Sequence, residues 1–201
     1  LYEDEFLIAI DKPAGIESTP SKPELESKSV QGKMQWWAKK DNKDFKPYLL
    51  HRLDLRTSGV LLLGKFPRDR EKLESIFKDK STSKKYHALI KGVPKKHSGT
   101  ITIPLDARHS KVKVPAITHY RVVKKMGPVS VVEVRIETGR KHQIRQHFAL
   151  IGHPLALDSE HGDKKFNGTL KQKFNMRHMF LRAVELRFRH PILEKEITIK
   201  V

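Results

Sequence analysis

The sequence contains no cysteine among its 201 residues. This absence excludes a disulfide framework, a thiolate zinc site and a cysteine nucleophile. The opening residues also lack the pattern of a secretory signal, a charged stretch followed by an apolar one. Both observations predict an intracellular, cytoplasmic protein.

Long apolar runs are missing as well. Unbroken stretches such as Val60 to Leu63 have the length of a strand, well short of the ~18 apolar residues that a membrane-spanning helix needs. Because 37% of the residues are hydrophobic, enough apolar surface remains for a core, and we expect a folded protein without membrane spans. The sequence opens at Leu1 directly in a predicted strand, so we also expect a fragment that lacks an N-terminal arm or domain.

Acidic residues are few, since 23 Asp and Glu stand against 41 Lys and Arg and leave a net charge of +18. Such a surplus attracts polyanions, nucleic acid among them. Basic pairs are spread over the whole chain, for example at Lys39-Lys40, Lys95-Lys96 and Lys164-Lys165, so the charge is not a detachable tail. The pattern indicates a basic face on a folded body, although for any single pair a solvated surface is the favoured explanation.

Hydropathy patterns predict an α+β fold with one mixed, mostly antiparallel sheet and flanking helices. Strands are predicted near residues 6–10, 60–63, 84–91, 117–123, 129–136, 179–189 and 197–201, and helices over 31–40, 67–77 and 141–151. A polar loop fills residues 18–29. No repeat, low-complexity tract or linker is found, so we expect one domain over residues 1–201.

Two adjacent tryptophans, Trp36 and Trp37, fall on the first predicted helix. They can serve as stacking platforms for nucleobases or as anchors of a short helix on the protein body. Packing in the core is the expectation, because neighbouring tryptophans on a short helix more often have that role.

A polar loop before the strand at residues 60–63 reads His51-Arg52-Leu53-Asp54-Leu55-Arg56-Thr57-Ser58-Gly59. It presents one carboxylate, Asp54, beside two arginines at the rim of the core. Nearby positive charges favour an ionised carboxylate, which is what a nucleophile or general base must be. A structural salt bridge would leave the same pattern, and the charge pattern alone favours that alternative.

A second polar segment reads Thr138-Gly139-Arg140-Lys141-His142-Gln143-Ile144-Arg145-Gln146-His147. The Thr-Gly pair precedes a predicted helix, so backbone N–H groups at the helix N-terminus remain free. With cations on either side, these N–H groups are suited to binding a phosphate. Arg145 lies further inside the helix, where its planar fork suits a bidentate pair with a buried carboxylate. The alternative is that Arg140, Lys141 and Arg145 form a basic helix face.

The order of these segments resembles the RluA family of RNA pseudouridine synthases, of the ribosomal large-subunit type. The motifs that carry the resemblance are His51-Arg52-Leu53-Asp54 with Thr57-Ser58-Gly59, Lys85-Tyr86-His87-Ala88-Leu89, Thr138-Gly139-Arg140 with His142-Gln143-Ile144-Arg145, and Gly152-His153-Pro154-Leu155. Similar residues at both ends extend the likeness over nearly the whole chain. Two positions depart from the family pattern: Arg182 replaces a histidine and His161 replaces a tyrosine.

The resemblance implies an α+β catalytic domain with a central active-site cleft, and an enzyme that isomerises uridine in structured RNA to pseudouridine. By similarity, Asp54 is the catalytic carboxylate and Arg145 the arginine that pairs with it. Tyr86 matches the tyrosine that stacks on the target base; from the residues alone it would be a half-buried strand tyrosine. Whether the carboxylate attacks C1′ or removes the 2′ proton is left open.

The resemblance also implies residues that contact RNA. Arg52 matches the arginine that fills the space left by the extruded nucleotide, since the glycosidic bond is inaccessible inside a stacked helix. Arg140, Lys141 and His142 are expected on RNA, and Ile144 either forms an apolar wall against the uracil or fills the core. Because substrate and product are isomers, no cofactor and no metal are expected. The eleven histidines form no compact ligand set such as HExxH.

Large-subunit ribosomal RNA is the expected substrate, and tRNA is the alternative. The enzyme is expected to act as a monomer. Two rivals remain from the residues alone. One is a non-catalytic RNA-binding protein in which Asp54 merely pairs with arginine. The other is a phosphodiester hydrolase that uses His51 or His142 as general acid or base. Both account for the charge but not for the ordered motifs.

Overall fold

The computed structural model describes residues 1–107 and 110–201. Contacts between Cα atoms divide the chain into two units, unit 1 with Leu1–Ser83 and Ala183–Val201, and unit 2 with Lys84–Arg182. The elements, in chain order, are β1 (Tyr2–Glu3), β2 (Leu7–Lys12), α1 (Val30–Lys40), β3 (Tyr48–Leu49), β4 (Ser58–Gly64), α2 (Arg70–Glu74), β5 (Ser83–Lys91), β6 (Ser98–Ile101), β7 (Leu105–Asp106), β8 (Lys113–Val114), β9 (Thr118–Met126), β10 (Val129–Ile136), α3 (Gln143–Leu150), α4 (Lys164–Phe174), β11 (Leu181–Arg189) and β12 (Glu196–Lys200).

Unit 1 is built around β4. This strand pairs antiparallel with β2, placing Ala9 opposite Leu62, and it also neighbours β11, which pairs antiparallel with β12. Every residue of β4 from the second to the last is buried, which explains why the strand is a continuous apolar run without alternation. Its side chains share a core cluster with Leu73 of α2 and Phe188 of β11.

Unit 2 contains the antiparallel strand order β5-β10-β9-β6. The hairpin between β9 and β10 turns at Gly127, whose φ of +59° is costly for residues with a Cβ. Inward residues of β10, such as Val132 and Val134, form a core with Phe148 of α3 and Leu170 of α4. This core fixes α3, the helix that carries Arg145.

The predicted α+β class with a mostly antiparallel sheet is confirmed. Some details differ. The helix predicted over 67–77 is interrupted by 3-10 turns at Pro67–Asp69 and Ser75–Phe77, and the loop 18–29 holds another at Pro23–Lys28. Helix α4 was not predicted; it begins where the side chain of Asp163 accepts a hydrogen bond from the Phe166 amide, and lysines crowd its surface. Among the described residues, no helix is both long and apolar enough to cross a bilayer.

The expectation that both tryptophans pack in the core is wrong for Trp36. Its side chain is 63% exposed, with Lys40 Nζ 5.0 Å from the ring centroid. Trp37 is partly buried and packs on Phe45, with 6.2 Å between ring centroids. Adjacent helix positions point about 100° apart, so only one of the two can face the body.

Gly59, five residues after Asp54, is the most constrained glycine of β4. Its φ is +110°, and a Cβ at this position would lie 2.1 Å from the backbone oxygen of Ala183. We expect Gly59→Ala to lower the free energy of unfolding by about 3 kcal/mol or more, because backbone strain adds to a backbone clash. Urea unfolding followed by circular dichroism measures the change.

The matched control is Gly168→Ala in α4, where nothing lies within 4 Å of the added Cβ. This variant should gain about 0.5–1 kcal/mol, since alanine is the better helix former. Equal stabilities of Gly59→Ala and the wild type would contradict the assigned backbone geometry.

Candidate active site

Asp54 lies in the loop between β3 and β4 of unit 1, and its side chain is partly buried. The backbone turns immediately after it, because the Thr57 amide donates to the Asp54 carbonyl at 3.0 Å. Leu53 on one side is buried, and Leu55 on the other is 46% exposed. The carboxylate is therefore presented from a turn at the rim of the unit 1 core, as the sequence predicted.

Lys12 at the end of β2 ties this turn to the preceding loop. Its side chain is 0% exposed, and Nζ donates to the carbonyls of Pro13 at 3.0 Å, Ile16 at 2.8 Å and Leu55 at 3.4 Å. The Gly15 amide donates to the same Leu55 carbonyl at 2.7 Å. One buried ammonium thus joins the Asp-Lys-Pro-Ala-Gly turn to the residue that follows Asp54.

Ser18 anchors the other side of the catalytic candidate. Its buried hydroxyl donates to the Leu53 carbonyl at 2.7 Å and accepts from the Leu53 amide at 3.1 Å. Backbone atoms on both sides of Asp54 are therefore held by side chains from the loop after β2. Neither Lys12 nor Ser18 was predicted from the sequence to be a site residue.

The buried ammonium is also the electrostatic neighbour of the carboxylate. Burial lowers the pKa of Lys12 from 10.5 to about 8, and the negative charge of Asp54 opposes part of that shift. At neutral pH Lys12 is therefore still charged. A fixed positive charge beside Asp54 is what the sequence led us to expect, although the sequence pointed to arginines rather than to this lysine.

The neighbouring polar residues of this loop divide into exposed and structural ones. Arg52 and Arg56 are exposed. His51 has a structural contact, since its Nε2 accepts from the Leu62 amide at 3.0 Å and its ring lies 4.5 Å from that of Phe77. That contact engages one of the two ring nitrogens and fixes the orientation of the His51 side chain.

Tyr86 lies on β5 of unit 2, opposite Val134 of β10. The side chain is partly buried and packs against the unit 2 core. The central position of β5 next to β10 fixes its backbone through the ladder of strand hydrogen bonds.

A glutamine holds the turn before α3. Gln143 Oε1 accepts from the Thr138 hydroxyl at 2.8 Å and from the Arg140 amide at 3.0 Å. Its Nε2 donates to the Ile117 carbonyl at 2.9 Å and to the Thr118 hydroxyl at 3.0 Å. The Gln143 side chain is only 3% exposed, and its four hydrogen bonds satisfy its buried polar atoms. These bonds explain why a glutamine follows the Thr-Gly-Arg turn at this position.

The start of α3 differs from the prediction. The helix begins at Gln143, two residues later than expected, and His142 caps it in the left-handed conformation with φ +53°. The Arg140 amide, one of the donors expected to bind phosphate, is taken by Gln143. The Arg140 side chain is exposed and donates to the Pro115 carbonyl at 3.1 Å, while Lys141 is exposed as well.

Arg145 is buried within α3 and forms a bidentate ion pair. Its Nε and Nη2 donate to the two oxygens of Asp158 at 2.7 and 2.8 Å, and Nη2 also donates to Glu160 at 3.1 Å. Although burial opposes the charges, these bonds raise the pKa of Arg145 and lower that of Asp158, which also accepts from the His161 and Glu160 amides. The bidentate pair that the sequence predicted for Arg145 is thus formed with Asp158, a carboxylate that the sequence analysis did not assign to it.

The remaining predicted contacts lie in the same unit. Ile144 is 5% exposed and belongs to the unit 2 core. His142 shares a hydrogen bond with His161 at 3.1 Å and lies 3.4 Å from a Glu160 oxygen. Of the predicted residues, Arg52 and Asp54 belong to unit 1, whereas Tyr86, Arg140, Lys141, His142, Ile144 and Arg145 belong to unit 2. Their joint action on one substrate stays a prediction.

The pH dependence of the unfolding free energy tests whether the Lys12 ammonium is buried. Because the pKa of Lys12 in the folded protein, about 8, is below the unfolded value of 10.5, the folded state loses this proton first. The wild type should therefore gain about 1–3 kcal/mol of unfolding free energy relative to Lys12→Met between pH 8 and pH 10.5. Urea unfolding at a series of pH values measures the difference.

Lys33→Met, at an exposed position of α1, is the matched control and should stay parallel to the wild type over this range. Parallel curves for Lys12→Met and the wild type would show that burial does not act on this ammonium.

Comparison with known proteins connects this geometry to a family. The family model for RNA pseudouridylate synthase matches residues 6–150. The tRNA pseudouridine synthase C of Vibrio vulnificus (strain CMCP6) is 32% identical over 100% of this chain and 88% of that protein. The ribosomal large subunit pseudouridine synthase D of Zymomonas mobilis is 32% identical over 98% of this chain and 66% of that protein.

A solved structure shows the same fold. Human RNA Pseudouridylate Synthase Domain Containing 4 matches 100% of this chain and 87% of its own, with a TM-score of 0.82 at 24% identity. The family match covers the Asp54 loop, Tyr86 and the segment around Arg145, in the order that the sequence motifs predicted. The chain therefore belongs to the RNA pseudouridylate synthase family of isomerases.

Proposed function

We propose that this protein isomerises specific uridines of large-subunit ribosomal RNA to pseudouridine, with Asp54 as the catalytic carboxylate. One observation carries the proposal: in a chain that the family model matches over residues 6–150, a partly buried carboxylate lies on a loop held by buried Lys12 and Ser18. The anchors fix the backbone on both sides of Asp54, which suits a reactive carboxylate that must be held in one position.

The chemistry is an isomerisation within one nucleotide. The N1–C1′ bond breaks, the uracil turns, a C5–C1′ bond forms, the C5 proton is lost and N1 gains a proton. Asp54 either attacks C1′ and is later displaced, or removes the 2′ proton and later returns it. Both routes start from the ionised carboxylate, and Lys12 is a charged neighbour of Asp54.

Tyr86 and Arg145 complete the proposed catalytic set. A phenol ring on the rigid strand β5 suits stacking on a uracil and assistance in removing the C5 proton. Arg145 acts as a positioning residue whose guanidinium is oriented by Asp158 and Glu160. Its orientation is fixed before substrate binds, so no side-chain entropy has to be lost during the reaction.

The proposed RNA contacts follow from exposure and charge. Arg52, Arg140 and Lys141 are exposed cations that suit phosphate, and the flat guanidinium of Arg52 also suits stacking where a nucleotide leaves the helix. His142 supplies a further polar contact. Ile144 is 5% exposed, so we propose that it contacts uracil as part of an apolar surface that continues into the core.

The substrate assignment rests on the relatives. Synthases named for ribosomal large-subunit RNA match 98–99% of this chain and 64–66% of their own length. Transfer RNA is the second candidate, because the tRNA synthase of Vibrio vulnificus matches at the same identity over 88% of its length. We propose that the protein acts as a monomer in the cytoplasm, where both RNAs reside.

Mapping of pseudouridines decides between the two RNAs. In cells that lack this protein, we expect one or a few pseudouridines to disappear from large-subunit ribosomal RNA. A plasmid with the wild type should restore them, whereas Asp54→Ala should not, because no carboxylate remains to open the glycosidic bond. The readout is the site-by-site pseudouridine map of ribosomal and transfer RNA.

Asp44→Ala is the matched control, since Asp44 is an exposed aspartate of the same unit, and this variant should restore the sites. Loss confined to tRNA would select the second candidate. An unchanged map in the deletion strain, or full restoration by Asp54→Ala, would contradict the proposal.

Binding to RNA should depend steeply on salt. Each neutralised phosphate contributes about 0.7–0.9 to the logarithmic salt slope, so the affinity should fall about 10²-fold or more between 50 and 200 mM salt. Asp54→Asn should show the same slope and bind at least as tightly as the wild type, because it removes a negative charge. Filter binding with a structured ribosomal RNA fragment measures the affinity and its salt dependence. An affinity that does not change with salt would contradict the proposed phosphate contacts.

A further inference from the structure

Three metal-ligating side chains meet beside the start of α3. His142, Glu160 and His161 each offer one ligand atom, and all three atoms lie within 4.8 Å of one another. His142 Nδ1 lies 3.1 Å from His161 Nε2 and 3.4 Å from a Glu160 oxygen. We propose that this cluster binds a divalent transition metal of the zinc type. The site takes no part in the bond changes of the proposed isomerisation but adjoins its residues, since Glu160 also contacts Arg145 and His142 is a proposed RNA contact.

The distances suit coordination. With Zn–N bonds of about 2.05 Å, nitrogens 3.1 Å apart subtend roughly 100° at the metal, close to a tetrahedral angle. The Glu160 side chain is 58% exposed, so its carboxylate can adjust to complete the third bond. Each imidazole would bind the metal through the nitrogen that now takes part in their hydrogen bond and would carry its proton on its other ring nitrogen. Three protein ligands leave one position for water.

The local charge permits a cation despite the net charge of the chain. Two carboxylates, Asp158 and Glu160, surround one guanidinium, Arg145, so this network carries one net negative charge. One Glu160 oxygen contacts Arg145 and the other faces His142, so Glu160 can hold both at once. The start of α3 opposes a cation only weakly compared with three ligand bonds.

The ligand set selects the kind of metal. Two imidazoles with one carboxylate suit zinc, nickel, cobalt or copper, whereas magnesium and calcium prefer oxygen ligands. A route to the site exists, since His161 lines an open cavity of about 460 Å³ together with Gln146 and Leu150. Bound metal would clamp α3 to the segment of Glu160 and His161.

Zinc binding to the purified, chelator-treated protein tests the proposal. Calorimetric titration with Zn²⁺ alone should give one site per chain with a dissociation constant of about 10 µM or below. His161→Tyr should weaken binding at least tenfold, because an aromatic ring remains but the imidazole nitrogen is lost. Glu160→Gln is the second variant and should also weaken binding. Cobalt in place of zinc gives an absorption spectrum that reports coordination by the protein.

His178→Tyr is the matched control, the same substitution at an exposed histidine of unit 2, and should leave binding unchanged. Zinc should also raise the unfolding temperature of the wild type and of His178→Tyr but not of His161→Tyr, which separates metal binding from a folding defect. Absence of binding at 100-fold excess zinc, or wild-type affinity in both cluster variants, would overturn the proposal.

Discussion

A single buried ammonium group controls the geometry on which the proposed chemistry depends. Lys12 Nζ donates to carbonyls of two loops, at Ile16 before α1 and at Leu55 beside Asp54. Burial of a charge is costly unless hydrogen bonds compensate, and here three carbonyls and a nearby carboxylate compensate for part of the cost, since burial still lowers the pKa of Lys12 to about 8. The loop of Asp54 is consequently fixed in position by the requirement to satisfy Lys12, and a reactive group held in advance loses less entropy during the reaction.

Unit 2 uses the same principle with different groups. The four hydrogen bonds of Gln143 hold the turn before α3, and the buried pair of Arg145 with Asp158 fixes the guanidinium inside the helix. Removal of either partner would leave the other charge buried without its bidentate partner, and breaking a buried pair in this way typically costs about 3–5 kcal/mol. Polar residues of the family motifs that do not touch a substrate in the proposed mechanism thus have a physical task, namely to orient those that do.

The sequence was informative where one local rule decides the outcome. The apolar run of β4 predicted a buried strand, and the ordered motifs around Asp54 and Arg145 predicted the family. It was uninformative where distant residues meet: Asp158 is 13 positions from Arg145, and nothing in their spacing indicates a pair. Trp36 was mispredicted because hydrophobicity alone does not say which side of α1 faces the body. His142 and His161 come together through the fold, so no local ligand motif marks them.

Release of the uracil C5 hydrogen tests the central claim most directly. Formation of the C5–C1′ bond expels that hydrogen to water, so RNA carrying tritium at uridine C5 reports the reaction itself. The purified wild type should release tritium in a one-to-one ratio with the pseudouridine formed, and Asp54→Asn should release none while still binding the RNA. Release by Asp54→Asn at the wild-type rate would contradict the role of this carboxylate.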